Sequence, residues 1–406
     1  MTLGVGGSTI ERELDRLNDM TGGAEAISLR EYESRIIKAQ ELMKAQDIKA
    51  IYVNAGTNLT YFTGTAWYAS ERMVGAIIPA EGPVTYIAPF FEIGTLEQYM
   101  YIKGPVQGWQ EHECPYSLFG ETLKSMGLDH GQIGLDEATA FFITNGIAEK
   151  APDYDYVNAS RVTAACRMIK SKAELALMQR AMDMTLEVHK AAAAILQEGI
   201  STTEVEAFIH EAHKKVGAAA GSYFVIVLFG EASAYPHGVK DPQILKKDDM
   251  VLIDTGCKLH GYISDITRTY VYGTPDGRQT EVWNAEKAAQ LAALDVAQAG
   301  TRAGDVDLAA RASLAGNGFG PGYDIPGLPH RTGHGIGLDI HEWPYLNSGD
   351  DTILAQGMCF SNEPMICIPG EFGIRLEDHF YISENGPKWF TEPSHSILDP
   401  FGLEVK

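Results

Sequence analysis

The chain reads as an α+β protein: a smaller α/β domain, then a domain of two related halves, each with helices packed on antiparallel strands. Three observations predict this. Strand-like and helical segments alternate over the first ~150 residues. Further on, long β-branched and aromatic runs fold back at glycine and proline turns. Finally, QEGISTTEVEAF (197–208) aligns without gaps to QAGTRAGDVDLA (298–309), so that Gln197, Gly199 and Val205 match Gln298, Gly300 and Val306. Each copy lies between two helices and precedes one hairpin, the mark of a duplicated unit. A length of 406 residues is also long for one core.

Residues 1–27 are expected to form a helical extension that stops at Gly22-Gly23. Residues 28–160 form the α/β domain. Ser28 and Glu31 make a capping box for a helix to about residue 46. IKAIYVN, MVGAIIPA and PVTYIAP read as strands, followed by a helix near 91–100, the strand QIGLDE and a helix near 138–149. This region holds no chemical constellation. Residues 165–406 form the second domain. A helix runs from Lys172 to about Gln197, with Leu175, Met178, Met182 and Leu186 as a core stripe. Gly199 stops it, and Ser201 with Glu204 caps the next helix.

Charge and composition exclude several functions. A formal charge of −22 argues against nucleic acid and against an anionic membrane. The five cysteines, Cys114, Cys166, Cys257, Cys359 and Cys367, are scattered and form no C-x-x-C, against a disulfide framework or a thiolate zinc site. Glu11, Glu13 and Asp15 stand where a signal peptide needs a basic start, and no apolar run is long enough to span a bilayer. A cytoplasmic location is the expectation.

The chemistry concentrates in LIDTGCKLHGYISDITRT, PHRTGHGIGLDIHEWP and SNEPMICIPGEFGIRLEDH. Asp254 ends an apolar run and Asp265 lies in a second one. A turn at Leu259-His260 would set the two face to face across an antiparallel ladder, Cβ atoms ~5 Å apart, where like charges repel. Glu363 and Glu377 repeat the pattern about Gly370. Four acids in apolar surroundings must gain protons or a cation, and a pair of divalent metal ions is the economical solution. Arg375, two residues before Glu377, shares its strand face and can neutralise or orient a carboxylate. His330, His334 and His341 fall in one glycine-rich stretch; Gly333, Gly335 and Gly337 argue for a strand or extended loop. The H-E-x-x-H zinc helix, the dinucleotide and P-loop glycine motifs and the G-x-S-x-G elbow are absent. His237 and His260 read as structural and turn residues, and His379 as a supporting or surface residue. Carboxylates with one imidazole favour manganese, with cobalt, iron or zinc behind it.

The set D-x-G…S-D-I-T-R-T, G-H-G-I-G-L-x-x-H-E-x-P and N-E-P…G-x-R-x-E-D resembles the pita-bread metallopeptidases, in particular the prolidase and aminopeptidase P branch. The likeness covers roughly residues 165–390, and residues 28–160 suit that branch's N-terminal domain. The resemblance implies two metal ions held by Asp254, Asp265, His334, Glu363 and Glu377. It implies hydrolysis of Xaa-Pro bonds, Glu363 moving a proton to the leaving nitrogen and His237 and His341 supporting the tetrahedral intermediate. His330 shapes the proline pocket, Tyr345 and Arg375 belong to the substrate wall, and Thr267 and Arg375 support the ligands. It also implies a small-peptide substrate and a homodimer in which a loop with Trp67, Tyr68 and Arg72 closes a neighbouring pocket.

Three positions depart from the pattern. Tyr345 stands where prolidases often have arginine, and Met365 and Cys367 replace the glycine and tyrosine of E-P-G-x-Y. Placed on the substrate wall, these changes keep open a second reading: the same dimetal site acting on a small non-peptide molecule, as in creatinase, organophosphate hydrolysis or dimethylsulfoniopropionate cleavage. A non-enzymatic scaffold is disfavoured, because such proteins commonly lose ligands.

Overall fold

The computed structural model describes residues 1–404 and divides into two compact units. One contains Ile27–Arg167; the other joins Met1–Ala26 to Met168–Lys406. The Ile27–Arg167 unit is a six-stranded mixed sheet. Its central strand Ile48–Asn54 pairs antiparallel with Gly75–Pro79 and parallel with Gly131–Leu135. The segments expected as strands are strands, and Ser28 caps the helix Leu29–Ala45 by accepting from the Glu31 amide. The expected helix near 91–100 is a short 3-10 turn, Phe90–Glu92, running into Ile93–Tyr99. Val106–Trp109 and Tyr154–Asn158 complete the sheet as its edge strands. They carry weak apolar alternation, so periodicity did not reveal them.

The other unit is duplicated, and the repeated segments show it in their hydrogen bonds. Gly199 and Gly300 both have positive φ, 91° and 93°, ending one helix before the next begins. The Gly199 amide donates to the Leu245 carbonyl, and the Gly300 amide to that of Leu354. Ser201 bridges Ile244 as Arg302 bridges Ile353. Val205 and Val306 are fully buried on the helices that follow, Thr202–Lys215 and Ala303–Gly316. In the first half, Lys172–Ala194 and Thr202–Lys215 pack on strands Ser222–Phe229, Met250–Leu259 and Ile266–Val271. In the second, Gly277–Val296 and Ala303–Gly316 accompany a five-stranded sheet and the two-stranded ladder Met365–Ile368 with Phe372–Arg375. Residues 1–26 pack in this unit, the Gly6 and Met20 amides donating to the Ala193 and Val216 carbonyls; their one helix spans Ile10–Arg16.

One register differs from expectation. Thr267, not Asp265, lies opposite Asp254, because the chain turns at His260-Gly261, both with positive φ. Asp265 is two residues along the same face, diagonal to Asp254. Gly256 lets the strands close until a Cβ there would stand 1.7 Å from the Ser264 carbonyl oxygen. Gly256→Ala is therefore expected to destabilise the protein by ~2 kcal/mol or more, read as a lower urea midpoint. Metal affinity should fall with it, because this contact sets the spacing of Asp254 and Asp265.

Candidate metal centre and active site

The second hairpin brings its acids opposite each other. The ladders Cys359–Asn362 with Asp378–Ser383 and Met365–Ile368 with Phe372–Arg375 share one register, which sets Glu363 against Glu377. Pairing breaks between the ladders, where Pro364 has no amide hydrogen. The Glu363 amide donates instead to the Thr332 carbonyl (2.8 Å) and that of Glu377 to the Thr267 carbonyl (3.1 Å). The second bond ties the two halves of the fold together at the site.

His334 reaches the same point from the strand Gly333–Gly335, pinned by its amide to Ser361 Oγ (2.9 Å). A Cβ at Gly333 would stand 2.1 Å from the Ser361 carbonyl oxygen, so the close approach requires glycine. His334 Nδ1 lies 3.0 Å from the Gly335 carbonyl, so Nδ1 is assigned the proton and Nε2 faces the acids. Nε2 is 3.1 Å from Glu363 Oε1, 3.7 Å from Asp265 Oδ2 and 4.0 Å from Glu377 Oε1.

Electrostatics make this cluster costly without a cation. Burial, then the charges of Glu377 and Asp254, pushes Asp265 well above the usual carboxylate range. Burial, then Glu363 and Asp254, does the same to Glu377. Burial raises Asp254, with Glu363 adding to it and Arg375 opposing. Burial would raise Glu363 too, but the hydrogen bond and charge of His334 hold it low. Asp254 Oδ1, Asp265 Oδ1 and Glu377 Oε1 are buried without a hydrogen-bond partner. Orphaned anionic oxygens converging on an imidazole nitrogen are the donor set a divalent ion takes, so the residues fit a metal.

His379, read from the sequence as a supporting or surface residue, is fully buried in this centre. One donor atom from each of Asp265, His334, Glu377 and His379 lies within 4.8 Å of the other three. The signal was present: His379 is two residues beyond Glu377 on one extended segment, hence on the same face. Arg375 clamps the acids from behind, with Nη2 2.6 Å from Asp254 Oδ2, Nε donating to Thr267 Oγ1 and Nη1 to the Pro236 carbonyl. Thr267 in turn donates to Glu377 Oε2 (2.7 Å). Gln290, from the helix Gly277–Val296, donates to the Leu376 carbonyl and Asp378 Oδ2, and Asp378 pairs with buried Arg268.

Glu363 opens onto a cavity of about 520 Å³ lined by Pro236, His237, Pro329, His330, Arg331, His341 and Arg375. His341 packs edge-on against His334, ring centroids 4.3 Å apart. Tyr345 lies behind this wall, with the Arg331 guanidinium over its ring. The other departing positions are not on the wall: Met365 and Cys367 are buried in their ladder. A larger cleft of about 700 Å³, lined by Phe229, Tyr235 and Ile244 among others, holds none of these groups.

With this geometry in view, comparison with known proteins is decisive. Residues 176–384 match the model of metallopeptidase family M24, and residues 35–169 that of the creatinase/prolidase N-terminal domain. The chain belongs to the M24 metallopeptidases. It is 30% identical to the Xaa-Pro dipeptidase of Pyrococcus furiosus over 366 residues, 90% of this chain and 100% of that one. Among solved structures it resembles the dipeptidase PepE from Mycobacterium ulcerans (TM-score 0.85, 30% identity, 92% of this chain and 98% of that one). It also resembles the prolidase from Thermococcus sibiricus (TM-score 0.81, 31% identity, 91% and 98%). The duplicated unit thus has the pita-bread fold, preceded by a creatinase/prolidase-type N-terminal domain, and the chain is a peptidase with a divalent-metal site.

The raised carboxyls predict how stability depends on pH. Asp265 and Glu377 favour their protonated forms in the folded state, so they contribute stability that is full at low pH. It is lost as pH rises above the unfolded-state values of ~4 toward the folded ones. His189, His213, His341 and His379 stay neutral in the folded state and oppose this trend below the ordinary histidine range of ~6.5. It is above that range, from pH ~7 to 8, that the metal-free protein should melt at progressively lower temperature as pH rises. A divalent ion should abolish that slope, as read by calorimetry with and without chelator.

Proposed function

We propose that this M24 peptidase is an Xaa-Pro dipeptidase with two divalent metal ions, manganese first among them, working as a cytoplasmic homodimer. The observation that carries the reading is the cavity: its wall includes Glu363 of the acid cluster, and Pro236 and Pro329 supply an apolar surface for a proline ring. Xaa-Pro dipeptidase and prolidase relatives that span nearly this whole chain support it. Asp254, Asp265, His334, Glu363 and Glu377 would hold the metals, with His379 beside them. When bound, such ions lower the pKa of a water molecule and polarise the scissile carbonyl.

The chain's own groups do the rest. Glu363, half-buried and held as a carboxylate, takes a proton from the attacking water as the new C–O bond forms. It delivers that proton to the proline nitrogen as the C–N bond breaks; the tertiary amide brings no proton of its own. His341 and His237 line the cavity and donate to the developing oxyanion. His330 shapes the proline pocket, with Nδ1 2.7 Å from the Arg331 carbonyl. Arg375 and Thr267 fix the orientation of Asp254 and Glu377. The reading with a non-peptide substrate loses its support at Met365 and Cys367, which are buried in the core and do not line the cavity.

Metal-loaded protein is expected to release proline from Leu-Pro, measured by amino-acid analysis. Glu363→Gln should lower kcat by ~10²–10⁴-fold. Absence of proline release with manganese, cobalt and zinc each supplied would overturn the assignment.

A further inference from the structure

We propose that the buried ion pair of Lys170 and Glu342 is a positioning device: it fixes the backbone that carries His341 and so aims that imidazole into the active-site cavity. The inference rests on the Xaa-Pro reading above for the role of His341, and adds to it the two residues that place the ring.

Among the described residues the His341 ring has no hydrogen bond; it leans edge-on against His334, and the residue is exposed. Its direction is therefore set by the backbone. His341 ends the loop 336–341 that joins the strands Gly333–Gly335 and Glu342–Leu346. From His341 to Pro344 the residues alternate exposed, buried, exposed, buried, so drawing Glu342 inward turns His341 outward. Lys170 does the drawing. Its Nζ donates to Glu342 Oε1, and both side chains are buried. Lys170 is itself fixed, its amide donating to the Gly357 carbonyl (2.9 Å).

Gly337, in the same loop, packs directly on the pair. A Cβ there would stand 2.6 Å from Glu342 Oε1 and 3.0 Å from Lys170 Cε. The Gly337 carbonyl accepts from the Ile263 amide (2.9 Å), which ties the loop to the hairpin bearing Asp254 and Asp265. The loop is thus held at Gly337 and again at Glu342. A buried ion pair adds little net stability over a well-packed apolar pair, but it demands one geometry where apolar contacts can slide. His334 has anchors of its own at Ser361 and Gly335, so the pair serves His341 rather than the metal.

The test replaces both partners at once, Lys170→Met with Glu342→Leu, because an apolar pair of similar volume keeps such a site folded. Melting temperature and bound metal should hold. On Leu-Pro, kcat should fall ~10–100-fold with KM nearly unchanged, the cost of a donor displaced by about 1 Å. In a His341→Ala background the same double substitution should cost no further activity, because a positioning pair acts only through the ring it places. Gly337→Ala, which crowds Glu342, should lower kcat in the same way. A loss that multiplies with that of His341→Ala, a loss carried by KM, or an undiminished kcat in the folded variant would overturn the proposal. If the apolar variant does not fold, Glu342→Gln, which keeps an acceptor for Lys170, enters the same cycle with the same readings. If wild type does not cleave Leu-Pro, NMR spectra of the histidine rings test the placement alone. The signals that His341→Ala removes should shift in the ion-pair variant while those of His237 stay. Unmoved His341 signals would overturn this inference; shifted ones would support it although the Xaa-Pro reading had failed.

Discussion

The metal centre of the larger unit is built around the repulsion of four carboxylates, three buried and one half-buried. Asp254, Asp265 and Glu377 have raised proton affinity through burial and neighbouring acids, Glu363 among them, and each of the three keeps an oxygen with no partner. In a low-dielectric interior such a group is unstable unless a cation sits within it. The fold supplies part of the compensation itself: Arg375 pairs with Asp254, and Nε2 of His334 faces three of the acids. What remains is the deficit of positive charge that a divalent metal fills.

The duplicated architecture explains how one chain can hold so costly a cluster. Each half contributes a hairpin, and the halves meet where Thr267 bridges Glu377. Neither hairpin alone would be forced to bury its acids. Joined, they place Thr267 so that it accepts from Arg375 and donates to Glu377 with one hydroxyl. Behind them, Gln290, Asp378 and Arg268 satisfy one another and hold the strands in register. Breaking one member of such a buried ion pair typically costs ~3–5 kcal/mol, so the support is stiff. Stiffness here serves function, because metal ligands and a proton-transferring carboxylate need fixed separations.

Much of this was legible in the residues. The acids at the ends of apolar runs, the turn at Gly370 and the repeat about Gly199 and Gly300 all correspond to observed geometry. The misreadings have physical causes. Symmetry about a midpoint assumes a tight turn centred between the acids, but the turn falls one residue later, at His260-Gly261, so Asp254 faces Thr267. His379 was left between a supporting and a surface role, because a lone histidine after an acid is ambiguous until its strand face is known.

The sequence by itself determined the class of chemistry. Four acids and one histidine in apolar segments demand a cation wherever the chain puts them, since that demand follows from charge and burial alone. Only the tertiary structure decided the surroundings. It showed that Met365 and Cys367 are buried in the core and do not line the cavity, that His379 turns inward, and that Arg331 rests on Tyr345. These are contacts between residues distant in the chain or on different elements. No local pattern encodes them, because side-chain direction is set by the register and packing of strands that meet only when the chain is folded.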